Sequence, residues 1–547
     1  RTRSNFSLTT VAVLALATSP VAAQEAKNVI LMISDGAGDT TWQAANQFQF
    51  GTSNGPGQRY EQADFAQHWM TTYSGHTQPL APSTDLGFGP IGLLPSLYNE
   101  IDNFPGFGSY DPAAANNMAA GPVRTLGTPG ELGRGTSIPL TPDPSLPPQL
   151  QAVAAGFAGA FDVTEINGFA AYDYLTNQSI TDSAAAGTAL ATGQKTYNSA
   201  INVDLNENPV EFITQTMVNA GKRAGVVSTK AFTDATPAAF GTQNNSRQNE
   251  AAISDSMIRN GLLDVVISPG HPEFGSGGVR RDTPDYDTVS EANLAALRSG
   301  VDGWNFVDDT DQLTAIGNGT AAAPDRLFGL VPVSSQLHSR DTSGRTNAYD
   351  PRLFDPADPN GAVPFVMPDL DVLSRAAIKT LEQDEDGFFL MIENGSVDSA
   401  AHANDLPRMV EEQLSFNRAV DEVIAWVETE SSWDETLLII TTDHANGLFL
   451  GPDSDSVYFQ DPIAQGEGEL PDGIWWSTEH TNELVPLWTR GVGSDLFGGL
   501  TDGVDPRRGA YIDNTDVHTV MAAVVPEPTS LSLLAVGGLL LRRRRGS

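Results

Sequence analysis

Cysteine is absent from this 547-residue chain, and lysine and arginine together number 30 against 68 aspartates and glutamates. Without cysteine there are no disulfides, so the chain holds together by packing and by bound metals. The shortage of positive charge leaves a formal net charge of −38, which argues against a nucleic-acid backbone or an anionic membrane surface as partner. Phosphate-bearing ligands are repelled by the same field, so an anion site needs local positive charge, which metal ions supply. A heavily solvated acidic surface accounts for most of the excess. The sequence shows no internal repeat, no glycine-rich nucleotide loop and no basic RNA-binding surface. What is present is 40% hydrophobic residues, enough for a large core in anything from one elaborated domain to about three.

Both ends carry apolar runs shorter than the roughly 20 residues of an ordinary membrane span. The first follows Arg1 and Arg3, extends from Leu8 to Thr18 and leads into Ser-Pro-Val-Ala-Ala before Gln24. That is the order of a secretory signal over residues 1–23, so export is expected, with cleavage after Ala23 and a mature chain from about Gln24. At the other end Val525-Pro-Glu-Pro-Thr529 precedes an apolar stretch from Leu531 to Leu541 and four arginines, Arg542–Arg545. This tail over 525–547 resembles the PEP-CTERM sorting signal of Gram-negative bacteria, which implies transient contact with membrane and sorting machinery and a destination in the periplasm, cell surface or extracellular matrix.

Between the ends, Asn28–Ser34, Ala224–Thr229, Phe388–Ile392 and Thr436–Thr442 are continuous apolar runs of strand length, suited to strands buried on both faces. Helical pattern separates them: Met409, Phe416, Val420, Val423, Ile424 and Val427 fall on one stripe. The alternation predicts an α/β protein with a large, mostly parallel central sheet flanked by helices on both faces. Beyond the four runs come Asp35, Asp234 with Thr236, Glu393, and Asp443-His444. Ligands of open α/β sheets sit outside the carboxyl ends of the strands, so these groups are expected to converge. Carboxylates gathered in one place repel one another unless cations join them. Asp398 and His402 are spaced to share one helix face, and His480 offers a second imidazole. Carboxylate with imidazole suits zinc, whereas the oxygen set of Asp35, Thr236 and Glu393 suits magnesium.

Ser179-Ile-Thr-Asp-Ser-Ala-Ala-Ala-Gly-Thr188 places a hydroxyl where a strand-like approach gives way to a small-residue helix start. Ser183 there faces unpaired backbone N–H groups and the positive end of the helix dipole, a setting for a nucleophile as well as for a simple N-cap.

Together, Ser34-Asp-Gly-Ala-Gly-Asp39, Thr181-Asp-Ser-Ala-Ala-Ala-Gly187, Thr233-Asp-Ala-Thr-Pro-Ala-Ala239, Glu393-Asn-Gly-Ser-Val-Asp-Ser-Ala-Ala-His402, Thr442-Asp-His444 and Glu479-His-Thr481 make the chain resemble the alkaline phosphatases over roughly Lys27–Thr519. The resemblance implies that Asp398, His402 and His480 hold one zinc ion and Asp35, Asp443 and His444 a second. Asp35 bridges to a magnesium ion completed by Thr236 and Glu393, with Asp234 orienting its waters. It further implies hydrolysis of small phosphate esters through a phosphoserine at Ser183, with Arg247 clamping the phosphate and Asp182 orienting Arg247. A homodimer is the assembly it suggests, although no stretch of the sequence reports an interface.

The domain organisation expected is a catalytic domain over 24–519 with an insertion at about 43–178, read as a lid or a neutral surface addition, and a loop-rich region at about 271–368. Ser399 stands beside Asp398 where several family members carry a lysine or histidine, so weaker phosphate binding is expected. Two other functions compete: a phosphodiesterase on the same metal site, and a non-catalytic surface or matrix protein that binds anions. A sulfatase is disfavoured because there is no cysteine and Ser183 lacks the Pro and Arg context of formylglycine conversion.

Overall fold

The four apolar runs form the middle of one sheet. In the computed structural model, which describes residues 25–52, 57–75, 180–275, 278–337, 367–453, 460–505 and 508–525, every residue of Asn28–Ser34 is buried, as is every residue of Phe388–Asn394 and Thr436–Thr441. In chain order the strands begin with β1 (Asn28–Ser34), β2 (Ala66–Thr71), β3 (Arg223–Ser228), β4 (Val265–Ser268), β5 (Asn305–Val307), β6 (Leu327–Leu330), β7 (Phe388–Asn394) and β8 (Thr436–Thr441). Two short antiparallel ladders follow, β9 (Ala445–Asn446) with β12 (His480–Thr481) and β10 (Phe449–Leu450) with β11 (Ile474–Trp475). The last strands are β13 (Val485–Gly491), β14 (Gly503–Asp505) and β15 (Gly509–Asp513).

Eleven of them make one sheet in the order β14-β15-β2-β13-β8-β1-β7-β3-β4-β6-β5. From β8 to β5 every pairing is parallel, and antiparallel pairings occur where β13 meets β8 and β2 and where β14 meets β15. The expected α/β architecture is therefore present, with a mixed edge.

Both faces are covered, and β1 shows how. Val29, Leu31 and Ile33 enter one core, packed by helices that include Ser183–Thr192, Ile213–Asn219 and Thr515–Ala523. Ile30 and Met32 enter the other, packed by Asp39–Phe50, Leu370–Leu381 and Leu406–Glu430. Burial on both sides makes alternation disappear from the strand sequence. Each fully buried aliphatic side chain contributes about 1.5–3 kcal/mol, which fixes the register of the central strands. The helix stripe Met409, Phe416, Val420, Val423, Ile424 and Val427 is buried as predicted, on a helix that starts with Pro407 in its first turn and Asp405 as N-cap.

Register brings the strand ends level: Ile33 pairs with Glu393 and with Thr441, and Ser228 pairs with Glu393. Glu393 thus lies inside β7, not beyond it as the sequence suggested. Two of the regions set apart in the expected domain organisation contain regular elements. Helix Asp39–Phe50 runs through position 43 and β2 sits inside the main sheet, so the described residues up to Gly75 belong to the core fold. The region read as loop-rich supplies β5, β6 and the helices Glu291–Arg298 and Thr310–Gly317. Strands of three or four residues are too short to show a period. Residues 1–23, positions 76–179 of the expected insertion, and the tail from 526 onward lie outside the described residues. Among the described residues no helix is long and apolar enough to cross a membrane.

Candidate active site

Ser183 is the first residue of helix Ser183–Thr192, in which every residue is buried. The residues leading to it, Ile180–Asp182, are irregular and not strand-like. Asp182 caps the helix by accepting from the Ala185 N–H at 2.9 Å, and its other oxygen accepts from the Ser199 N–H at 2.9 Å. Arg247 reaches that second oxygen through Nη1 at 3.2 Å and Asp234 Oδ1 through Nη2 at 2.7 Å. Burial works against its charge, but Asp234 and Asp182 outweigh burial and hold the guanidinium pKa above its ordinary value. Asp182 and Asp234 thus both hold the Arg247 guanidinium.

Ser183 Oγ lies 3.2 Å from His444 Nε2. The pair is not part of a Ser-His-Asp relay. In such a relay the carboxylate accepts from the other ring nitrogen; here Asp443 Oδ2 at 3.2 Å and Asp35 Oδ1 at 3.5 Å both face the same Nε2, and Nδ1 has no hydrogen-bond partner. Burial pushes the His444 pKa far below the usual imidazole value, so the ring is neutral. Asp35 Oδ1 and Asp443 Oδ2 are buried without a hydrogen-bond partner. Burial first, then neighbouring carboxylates, raises Asp35 well above the carboxylate range, and burial with Asp398 raises Asp443 to about 6.

The second cluster has the same character. His402 Nδ1 lies 2.5 Å from the Thr478 carbonyl and His480 Nδ1 lies 2.8 Å from the Thr181 carbonyl. A carbonyl only accepts, so each Nδ1 carries the proton and each Nε2 turns its lone pair inward. The two Nε2 atoms are 3.1 Å apart, and Asp398 presents Oδ2 at 3.5 Å to His402 and Oδ1 at 3.4 Å to His480. Three acceptors converge with no donor among them, an arrangement that a cation between them, a proton or a metal ion, would satisfy. Accordingly His402 and His480 hold Asp398 well below the carboxylate range against the pull of burial, and Asp398 raises His480 although burial opposes it. Each triad, Asp398/His402/His480 and Asp35/Asp443/His444, has ligand atoms within 4.8 Å of one another, so the donor sets fit a divalent ion in chemistry and spacing. The backbone carbonyls behind His402 and His480 are the outer partners a metal-bound imidazole needs.

The oxygen set lies behind them. Thr236 Oγ1 is buried and unpartnered on helix Ala235–Ala239. Glu393 accepts a short hydrogen bond from Ser228 Oγ, and burial together with Asp234 pushes its carboxyl up to about 8. Burial raises the pKa of Asp234 as well, but Arg247 and Lys230 pull it below its ordinary value. Gly36 lets this assembly close: its φ of +73° is left-handed, and a Cβ there would stand 2.7 Å from Asp398 Cα.

A cavity of about 590 Å³ opens on Ser183, Arg247, Asp35, Asp234, Asp398, His402 and His480. Three further residues at the site were not foreseen. Asn446 donates to Asp398 Oδ1 at 2.7 Å, Ser228 supports Glu393, and Lys230 reaches Ser399 Oγ at 2.8 Å. A lysine ammonium from the loop after β3 therefore stands beside Ser399. Its signal was Ser228-Thr229-Lys230 at a strand end, four residues before Asp234.

Comparison with known proteins follows the same lines. The family model described as alkaline phosphatase matches residues 157–470. Alkaline phosphatase 3 of Bacillus subtilis is 30% identical over 310 residues, and the match covers 56% of this chain and 58% of that relative's length. Among solved structures, the cold-active alkaline phosphatase of a psychrophilic Shewanella species superposes with a TM-score of 0.53 at 20% identity, over 91% of this chain and all of the other. A variant of the TAB5 alkaline phosphatase, from an Antarctic bacterium and solved with Mg bound, gives a TM-score of 0.52 at 18% identity over 92% and 99% of the two chains.

Proposed function

The chain belongs to the alkaline phosphatase family, and from that premise we propose that it is an exported, metal-dependent phosphomonoesterase acting through a phosphoserine at Ser183. The observation that carries the reading is the pair of carboxylate–imidazole clusters at the cavity onto which Ser183 opens, one of them 3.2 Å from the Ser183 hydroxyl through His444 Nε2.

Asp398, His402 and His480 would hold one zinc ion, Asp35, Asp443 and His444 the other, and Asp35, Thr236 and Glu393 a magnesium ion. Bound there, the ions supply Lewis acidity that lowers the proton affinity of nearby hydroxyl and water and offsets phosphoryl charge. The chain's own residues do the rest. Ser183 sits at the positive end of its helix, where backbone N–H groups favour an anionic oxygen and the phosphoryl group it attacks. Its Oγ forms a bond to phosphorus as the bond to the ester oxygen breaks, and the alcohol leaves with the proton Ser183 gives up. Water then forms the new P–O bond, the Ser183–phosphorus bond breaks, and inorganic phosphate is released with Ser183 restored. Arg247, preset by Asp182 and Asp234, offers a planar fork to the equatorial oxygens in both steps. Thr478 and Thr181 keep His402 and His480 in the tautomer with Nε2 free. Export rests on the residue order of 1–23 and 525–547.

The test is release of phosphate from p-nitrophenyl phosphate at alkaline pH by the metal-loaded protein, with and without a chelator. The proposal expects activity that the chelator removes; no release by the metal-loaded protein would reject it.

A further inference from the structure

We infer that Lys230 is, with Arg247, the second side-chain cation of the phosphate pocket and sets its preference for dianionic monoesters over monoanionic diesters, an inference that rests on the phosphomonoesterase reading. Its ammonium lies 2.8 Å from Ser399 Oγ and 3.9 Å from Asp234 Oδ2, on the wall of the cavity into which Ser183 and Arg247 open. Asp234 joins the two cations, since its other oxygen takes Arg247 Nη2 at 2.7 Å. The lysine is also built in. Its N–H donates to Ser228 Oγ at 2.8 Å, the hydroxyl that supports Glu393, and Ala231 beside it is tied to the Ser335 carbonyl. Gly395 makes room for its stem, because a Cβ there would meet Lys230 Cγ at 2.3 Å.

A solvated surface lysine needs no such seat. Positive groups are scarce in a chain of net charge −38, and among the described residues Lys230 and Arg247 are the lysine and the arginine that line this cavity. Arg247 and the bound ions meet the single charge that a diester shares with a monoester. The additional charge of a monoester, or of free phosphate, is met by a further charge-assisted hydrogen bond, which Lys230 supplies. Ser399 and Asp234 hold the amine between them until a ligand oxygen takes it.

Lys230→Met, Lys230→Gln and Lys230→Arg in the metal-loaded protein test this, with melting temperatures recorded for each. Loss of the cation should lower kcat/KM for p-nitrophenyl phosphate about ten-fold and raise the inhibition constant of inorganic phosphate by about the same factor. Hydrolysis of bis(p-nitrophenyl) phosphate should stay within about two-fold, and Lys230→Arg should keep most monoester activity. A merely structural lysine would instead lower both esters together along with the melting temperature, and that result, or an unchanged phosphate constant, would overturn the inference. A wild type inactive on both esters would fail the phosphatase reading and take this inference with it, whereas an active wild type with indifferent variants would fail this inference alone.

Discussion

Glu393→Gln is expected to stabilise the metal-free protein at alkaline pH while weakening the metal-loaded one. Glu393 is buried, and burial and Asp234 push its carboxyl from the usual 4.5 to about 8. Between those values the folded state holds a proton that the unfolded state has released, so the stability of the chelated protein falls as pH rises through the window. At about 1.4 kcal/mol for each pH unit, the loss attached to this one group is on the order of 5 kcal/mol above pH 8. Glutamine keeps the shape, still accepts from Ser228 Oγ and cannot ionise. For a chain of this length the entropy of unfolding converts 1 kcal/mol to about 1 °C in melting temperature. Scanning calorimetry in chelator should therefore show the two proteins within about 1 °C of each other at pH 5 and the variant about 5 °C higher at pH 9. The other charged groups behind the formal net charge of −38 are common to both proteins and cancel in the comparison. With zinc and magnesium restored the order should reverse, because the wild type regains a ligand and with it the stabilisation of ion binding. A variant that melts below wild type in chelator at pH 9, or that gains as much from the ions as wild type does, would refute the idea that Glu393 is a carboxylate placed for a cation.

Other consequences are open to simpler measurements. Ser183→Ala should lose at least about 10³-fold in turnover with its melting temperature nearly intact, since the Asp182 cap and the helix do not depend on the hydroxyl. Arg247→Lys should lower kcat/KM about 10- to 100-fold, because an ammonium cannot bridge Asp182 and Asp234 and still present two donors to phosphate. Gly36→Ala forces a Cβ to 2.7 Å from Asp398 Cα at a left-handed φ, and zinc affinity in competition with a chromogenic chelator should fall by about 10- to 100-fold.

The sequence disclosed the centre of the fold better than its edges, and for a physical reason. β1, β3, β7 and β8 are buried on both faces, so each reads as an unbroken apolar run bounded by polar residues. β2 begins at exposed Ala66 and Gln67, and β5 and β6 hold three and four residues, so neither periodicity nor length marks them. The acidic and imidazole groups were legible because strand ends are where a parallel sheet delivers side chains. Asp398 with His402 was legible because helix Ser396–His402 puts both on one face. Partners that act through position and not through type were not legible. Asn446 on Asp398 and Ser228 on Glu393 are common residues whose roles depend on distance alone, and a lysine at a strand end is ordinarily solvated.

The most direct test of the account is to acid-quench the metal-loaded protein during turnover of p-nitrophenyl phosphate and locate any phosphate on the chain by peptide mass spectrometry. The account predicts phosphate on Ser183, absent in Ser183→Ala; phosphate on another residue, or turnover by Ser183→Ala at the wild-type rate, would contradict it.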